Sequence, residues 1–229
     1  MENKKVKTCI ILCAGFGKRM LHLTENMPKA LLKINSKHTI LDLIIDKLAK
    51  STIENIIITS HHKWINIHRH IAHNISNIND KKISLVVEKN ILGTRKGLLN
   101  AIKNIKEQYF LKINCDLIWD DNKMIDKIIN FHADNNFPEI LMLNKESDNK
   151  IENKFIVQDK YLMQNGDKNK VGYCGISIFN KNILLNSKHD CLGKLYIDLI
   201  PTHPNSNFLG YLITGDKFKH VGTISEFKS

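Results

Sequence analysis

Short apolar runs rich in β-branched residues alternate along this chain with amphipathic stretches of helical length. A strand buried on both faces reads as such a run, and parallel strands need a crossover helix between them. The pattern therefore predicts an α/β fold: a doubly wound, mostly parallel sheet with helices on both faces. Strands are expected at Thr8–Leu12, Asn55–Thr59, Ile83–Val87, Phe110–Asn114, Glu139–Asn144, Tyr173–Phe179 and Phe208–Ile213. Helices are expected at Ile40–Lys50, Trp64–His73, Thr94–Lys106 and Lys123–Asp134, the last with Asp121 or Asn122 as N-cap. Polar residues from Ser147 to Lys170 interrupt the alternation. Two strand-like pieces there, Phe155–Gln158 and Tyr161–Gln164, flank Asp159-Lys160 and predict a small inserted hairpin beside the site. A further helix would begin after Val221-Gly222-Thr223-Ile224-Ser225-Glu226. With 229 residues and 42% hydrophobic content, residues 1–229 are expected to form one domain.

Charge and cysteine usage narrow the function classes. The formal charge of +11 comes from lysines dispersed among asparagines and isoleucines, without an aromatic-interleaved basic stripe, so no nucleic-acid partner is expected. A moderate positive potential still draws in small polyanions such as phosphate esters. Five cysteines, Cys9, Cys13, Cys115, Cys174 and Cys191, form no C-x-x-C pair or zinc-ligand spacing and are expected reduced and mostly buried. The apolar run Cys9 to Ala14 is too short for a signal peptide or a membrane span, which predicts a soluble, cytoplasmic protein with no membrane partner. His61-His62 sits at a strand end, and of His68, His70 and His73 only the last two share a helix face. Solvated histidines are expected there rather than a zinc site.

The first strand runs into Cys13-Ala14-Gly15-Phe-Gly17-Lys-Arg19-Met20, where glycines let backbone N–H groups approach phosphate oxygens and cations follow at once. The dinucleotide fingerprint fails because Met20 replaces its third glycine. The pattern G-x-x-x-x-G-K-[ST] fails at Leu12 and Arg19. What remains, Leu12-Cys-Ala-Gly15-Phe-Gly17-Lys-Arg19-Met20 followed by Met27-Pro28-Lys29-Ala30-Leu31-Leu32, resembles the signature of the sugar-1-phosphate nucleotidylyltransferases. The resemblance implies that Ala14, Gly15 and Gly17 wrap the triphosphate, Arg19 faces its β and γ phosphates, and Lys29 steadies the α-phosphate.

Further motifs follow in the family's order. Glu88-Lys-Asn-Ile-Leu92-Gly93-Thr94 resembles its nucleobase segment E-x-x-x-L-G-T-x-G, with Lys96 in place of the second glycine and Gly97 one position later. Glu88, Gly93 and Thr94 are the nucleotide-side candidates that this implies. Asn114-Cys115-Asp116 resembles N-x-D and stands past the end of a buried strand, where ligands of open α/β sheets bind. The resemblance makes Asn114 a nucleotide contact and Asp116 both a catalytic residue and a metal ligand, and hard oxygen donors suit Mg²⁺. Tyr173-Cys174-Gly175-Ile176 resembles the strand beside the sugar, which assigns sugar binding to Gly175. The sugar-phosphate lysine is left open among Lys145, Lys150, Lys154 and Lys160. Lys219-His220-Val221-Gly222-Thr223 resembles W-x-D-[VI]-G-T, with His220 at the second metal ligand. Imidazole suits softer ions such as Mn²⁺, Co²⁺ or Zn²⁺. That change is compatible with an altered metal preference, with a site held by Asp116, phosphates and water, or with a weakened enzyme.

The activity implied is the joining of an NTP and a sugar 1-phosphate into an NDP-sugar with release of pyrophosphate. Phosphoryl chemistry of this kind asks for in-line positioning and charge neutralisation, not for a protein nucleophile. Guanylyl and uridylyl transfer both fit the motifs. A phosphocholine cytidylyltransferase of the same fold and a non-catalytic nucleotide-binding paralogue are the competing readings.

Overall fold

The computed structural model describes residues 4–74, 78, 81–146, 155–164, 170–188, 192–213 and 218–228. Along the chain the elements are β1 (Thr8–Leu12), α1 (Ile40–Ala49), β2 (Asn55–Ser60), α2 (Trp64–Asn74), β3 (Lys82–Val87) and α3 (Gly93–Ala101). Next come β4 (Tyr109–Asn114), β5 (Leu117–Trp119), α4 (Met124–Asp134), β6 (Ile140–Glu146), β7 (Phe155–Gln158) and β8 (Tyr161–Gln164). The remainder is β9 (Lys170–Asn180), α5 (Lys181–Asn186), α6 (Leu192–Leu199), β10 (Phe208–Ile213), β11 (Phe218–His220) and α7 (Ile224–Lys228).

The main sheet has the order β3-β2-β1-β4-β9-β6-β10-β8-β7. Strands β3, β2, β1, β4, β6, β10 and β7 run one way, while β9 and β8 run the other. Two apolar clusters sandwich it. Cys9, Ile11, Leu111 and Ile113 meet α1, α2 and α4 on one face, and Ile10 and Phe110 meet α3, α5 and α6 on the other. Alternate side chains of one strand thus enter different clusters, as a strand pleated between two helical layers must. Cys9, Cys13 and Cys174 are buried free thiols and Cys115 is half-buried, while Cys191 lies outside the described residues.

Local chemistry sets the element ends. The Thr39 hydroxyl accepts the Asp42 N–H at 3.2 Å and an Asp42 carboxylate oxygen accepts the Thr39 N–H at 2.8 Å, a reciprocal cap that starts α1. The expected cap of α4 needs correction: its N-cap position is Lys123, with no side-chain cap. Asp121 acts earlier, its carboxylate accepting the Lys123 N–H at 2.8 Å, so the aspartate closes the turn before the helix instead of capping it. The expected helix Thr94–Lys106 is shorter, because after Ala101 the chain tightens into a 3₁₀ turn at Ile102–Asn104. Helices α5 and α6 and the small antiparallel sheet of β5 and β11 were not expected; a further helix was anticipated after Glu226, and α7 begins earlier, at Ile224.

The inserted hairpin forms from the expected residues. It pairs β8 with β10 and β7 with the start of β9, and so extends the edge of the sheet away from β1. Residues 147–154 and 165–169 of that insertion, with the candidate lysines Lys150 and Lys154, lie outside the described residues. Lys160 donates to Asn135 at the hairpin turn.

Candidate active site

At the carboxyl ends of the parallel strands, pairing continues one residue past β1 and β3. The Cys13 N–H donates to the Thr59 carbonyl at 3.0 Å and the Glu88 N–H to the Ser60 carbonyl at 2.7 Å. These bonds deliver Ala14, Thr59, Glu88 and Asn114 to one edge of the sheet, where open α/β folds bind ligands. A cavity of about 450 Å³ opens there, lined by Ala14, Gly15, Gly17, Arg19, Lys29, Glu88, Gly93, Thr94, Asn114 and Asp116, together with Leu12, Lys18, Thr59, Ile91, Gly97, Cys115 and Gly222. Every residue that the motifs assigned to the nucleotide, and all three catalytic candidates, therefore meet in one cavity. Gly175 and His220 stand just outside its lining.

The glycine loop has a specific backbone requirement. Gly17 adopts a left-handed conformation with φ 66°, and a Cβ there would stand 2.9 Å from Thr24 Cγ2. The Thr24 hydroxyl donates to the Gly17 carbonyl at 3.1 Å and pins the loop. A 3₁₀ segment, Lys18–Thr24, leaves it and carries Arg19 exposed at the rim, while Met20 anchors the segment in the core. Pro28 opens the short 3₁₀ turn Lys29–Leu31, which buries Lys29 and aims its ammonium inward.

Lys29 Nζ donates to Asp116 Oδ2 at 2.7 Å. Burial alone would raise the Asp116 pKa, but Lys29, by charge and hydrogen bond, with His220 and Lys112 behind it, holds the carboxyl below its usual value. The second oxygen, Oδ1, is buried and has no hydrogen-bond partner among the described residues. β11 is stitched beside this carboxylate, since the Val221 N–H donates to the Asp116 carbonyl at 2.9 Å and His220 pairs with Leu117. Packing around the His220 ring lowers its pKa, opposed by Asp116 and Glu226, although one side of the residue remains exposed.

Glu88 is the buried carboxylate of the cavity's other end. Its Oε2 accepts the Leu92 N–H at 3.2 Å. Gly97, about one helical turn into α3, faces Oε1 so closely that a Cβ would stand 2.5 Å away. The shifted glycine is thus the one that makes room for Glu88; a helix-interior glycine was its only sequence signal. Two other contributors were not foreseen. Lys112, a cation inside an apolar strand, is buried next to the site, and Gly222 sits under the Arg19 guanidinium, where a Cβ would approach Nη2 to 3.4 Å.

Gly175 has φ 84° in a bulge of β9, where the pairing with β6 jumps from Met142↔Ser177 to Asn144↔Tyr173. A Cβ at Gly175 would stand 3.0 Å from Asn114 Nδ2, so the bulge braces Asn114 from behind. His70 departs from the solvated state expected of it: its Nε2 lies 2.6 Å from Asp42 Oδ1, tying α2 to α1 away from the cavity.

Residues 8–165 match the family described as Nucleotidyl transferase. The chain belongs to that family. Among related sequences, the chain is 40% identical over 114 residues to the bifunctional protein GlmU of Methanococcus aeolicus, covering 49% of this chain and 25% of that protein. It is 30% identical over 111 residues to a D-glycero-alpha-D-manno-heptose 1-phosphate guanylyltransferase of Campylobacter jejuni, covering 48% of each. The matched region thus spans between a quarter and a half of these relatives. Among solved structures, HddC from Yersinia pseudotuberculosis in complex with GMP-PN superposes with a TM-score of 0.75 at 20% identity over 97% of both chains. A UDP-glucose pyrophosphorylase in complex with UDP-glucose gives 0.76 at 14% identity over 97% of this chain and 95% of that one. The family member therefore shares the fold of both. No helix among the described residues is long and apolar enough to cross a membrane.

Proposed function

We propose that this chain is a cytoplasmic sugar-1-phosphate nucleotidylyltransferase that transfers a guanylyl group. The observation that carries the reading is the meeting, in one cavity, of an open-backbone glycine loop, the cations Lys18, Arg19 and Lys29, and the carboxylate of Asp116. An oxygen of the sugar 1-phosphate attacks the α-phosphorus of the NTP, the bond from that phosphorus to the bridging oxygen breaks, and pyrophosphate leaves. Backbone N–H groups of Ala14 to Gly17 and the Arg19 guanidinium hold the β and γ phosphates, and Lys29 neutralises the α-phosphate. In the free protein Lys29 is held ready by Asp116.

The residues present suit a divalent ion. Asp116 Oδ1 is a buried hard donor without a partner, and no group of three or more His, Cys, Asp or Glu side chains converges among the described residues. That arrangement suits an ion such as Mg²⁺, completed by substrate phosphates and water, with His220 adjacent to admit Mn²⁺. When bound, the ion neutralises charge developing on the phosphates.

Glu88 supports guanine. An ionised carboxylate only accepts hydrogen bonds, and among the four bases only guanine presents two adjacent donors, N1–H and N2–H. Uracil would turn a carbonyl oxygen toward it. The heptose 1-phosphate guanylyltransferases among the relatives favour the same base.

The test is pyrophosphate release from a matrix of four NTPs and a panel of sugar 1-phosphates, with phosphocholine included, in Mg²⁺ and Mn²⁺. Release with GTP and one sugar phosphate is expected. Release with UTP would move the assignment to uridylyl transfer, and CTP with phosphocholine would make it a cytidylyltransferase. Silence with nucleotide binding intact would leave a non-catalytic binding protein. Replacing Glu88 by Gln removes an ionic hydrogen bond worth about 1.5–3 kcal/mol, so kcat/KM for GTP should fall by about 10- to 100-fold.

A further inference from the structure

Lys112 stands in the middle of β4 and is buried. It lies opposite Ser177 of β9 on one side and Ile10 of β1 on the other. Its Nζ donates to the Tyr173 hydroxyl at 3.1 Å, reaches the Gly175 carbonyl at 3.5 Å and lies 5.1 Å from the centre of the Tyr173 ring. The Tyr173 hydroxyl and Ser177 Oγ are 2.8 Å apart, and the Tyr196 ring packs edge-on against Tyr173 at 5.6 Å. The lysine thus closes a small polar knot on the face of the sheet that holds the second apolar cluster.

An ammonium in such a place costs stability, and an apolar side chain of the same length would fill the space at lower cost. The groups it touches supply a reason for its presence. The Gly175 carbonyl belongs to the β9 bulge that braces Asn114, and Asn114, two residues along the same strand face, lines the cavity. The order β3-β2-β1-β4-β9 then locates the substrates. The glycine loop follows β1 and Glu88 follows β3, so triphosphate and base occupy the ends of those strands. The open flank left for an acceptor is the one beyond β4, where the β9 bulge forms the wall.

We propose that Lys112 is a positioning residue for the acceptor: its side-chain amino group holds the Gly175 carbonyl and the Tyr173 hydroxyl, and so fixes the bulge against which the sugar phosphate docks. The inference rests on the sugar-1-phosphate reading of the cavity. Lys112 touches neither substrate in this arrangement and acts through β9.

The test compares wild type with Lys112→Met, which keeps the length and removes the amino group, and with Tyr173→Phe, which removes one of the two groups held. KM for each substrate and kcat are measured with the NTP and sugar phosphate that the wild type accepts, and the binding of each substrate is followed by calorimetry. Lys112→Met should raise KM and Kd for the sugar phosphate about 10-fold or more while the values for the NTP stay within about 2-fold, and Tyr173→Phe should move them the same way by less. Equal losses for both substrates, or none for either, would overturn the positioning role. If Lys112→Met fails to fold, Tyr173→Phe decides by the same split. A wild type that binds the NTP but no sugar phosphate would refute the reading beneath the inference and the inference with it. A wild type that binds both substrates without turnover would refute catalysis alone, and the calorimetric split would then decide the role of Lys112.

Discussion

Lys112→Met also carries a stability prediction whose size follows from burial. A lysine that ordinarily titrates near 10.5 is pushed down to about 7 here by burial, with Asp116 and Cys115 pulling weakly the other way. Below about pH 7 the ammonium is charged in both folded and unfolded chains, and the full penalty of burying it is present. Between about 7 and 10.5 the folded chain gives up this proton while the unfolded chain keeps it, so unfolding becomes harder as pH rises. At about 1.4 kcal/mol per pKa unit, the whole span amounts to about 5 kcal/mol, and the part between pH 7 and pH 9 to about 3 kcal/mol. Methionine at this position does not titrate. Relative to wild type, the variant should be favoured most at pH 6 to 7 and lose about 3 kcal/mol of that advantage by pH 9, because titrating groups remote from Lys112 cancel in the difference. Urea denaturation of both proteins at pH 6, 7, 8 and 9, read by tryptophan fluorescence, measures it. The loss of the Gly175 contact shifts the two curves by a constant and leaves the change with pH untouched. Curves that stay parallel within about 1 kcal/mol would show that the ammonium is not penalised by burial, and the reasoning would fail.

Three further outcomes follow from the site. Asp116→Ala should abolish pyrophosphate release and leave Lys29 buried without its partner; near-normal release would remove Asp116 from the chemistry. His220→Asp should move the metal optimum toward Mg²⁺, and an unchanged metal profile would show that residue 220 is not a ligand. Gly97→Ala would place a Cβ 2.5 Å from Glu88 Oε1. Because the helix itself tolerates alanine well, the melting temperature should hold or rise while GTP affinity falls about 10-fold, and unchanged affinity in a titration would show that Glu88 has room to move.

The sheet and its helical layers were legible because buried parallel strands leave apolar runs and crossover helices leave amphipathic ones, and both are local patterns. The glycine loop, Pro28-Lys29, Glu88 and Asn114-Cys115-Asp116 were legible as well. The glycine loop, Glu88 and Asp116 stand just past strand ends, where open α/β folds bind ligands, so a recognisable run precedes each of these candidates, while Lys29 was marked by the resemblance of Met27-Pro28-Lys29 to the family's motif. Pairings between distant parts of the chain were not legible. No local pattern states that Lys29 and Asp116, 87 residues apart, form an ion pair, or that Gly97 yields its side-chain space to Glu88. The hairpin was visible as two short strands, but its place depended on which edge was free, and β10 and the start of β9 supplied that edge. Lys112 is the sharpest case. In the sequence it is a polar interruption of an apolar run, and only β9 folding back across β4 brings Tyr173, Ser177 and the Gly175 carbonyl around its ammonium. Sequence alone determined the alternation of elements and the residues at the strand ends, because those depend on neighbours along the chain. Tertiary structure decided which charges meet, which glycines must stay bare and which lysine is buried, because those depend on neighbours in space.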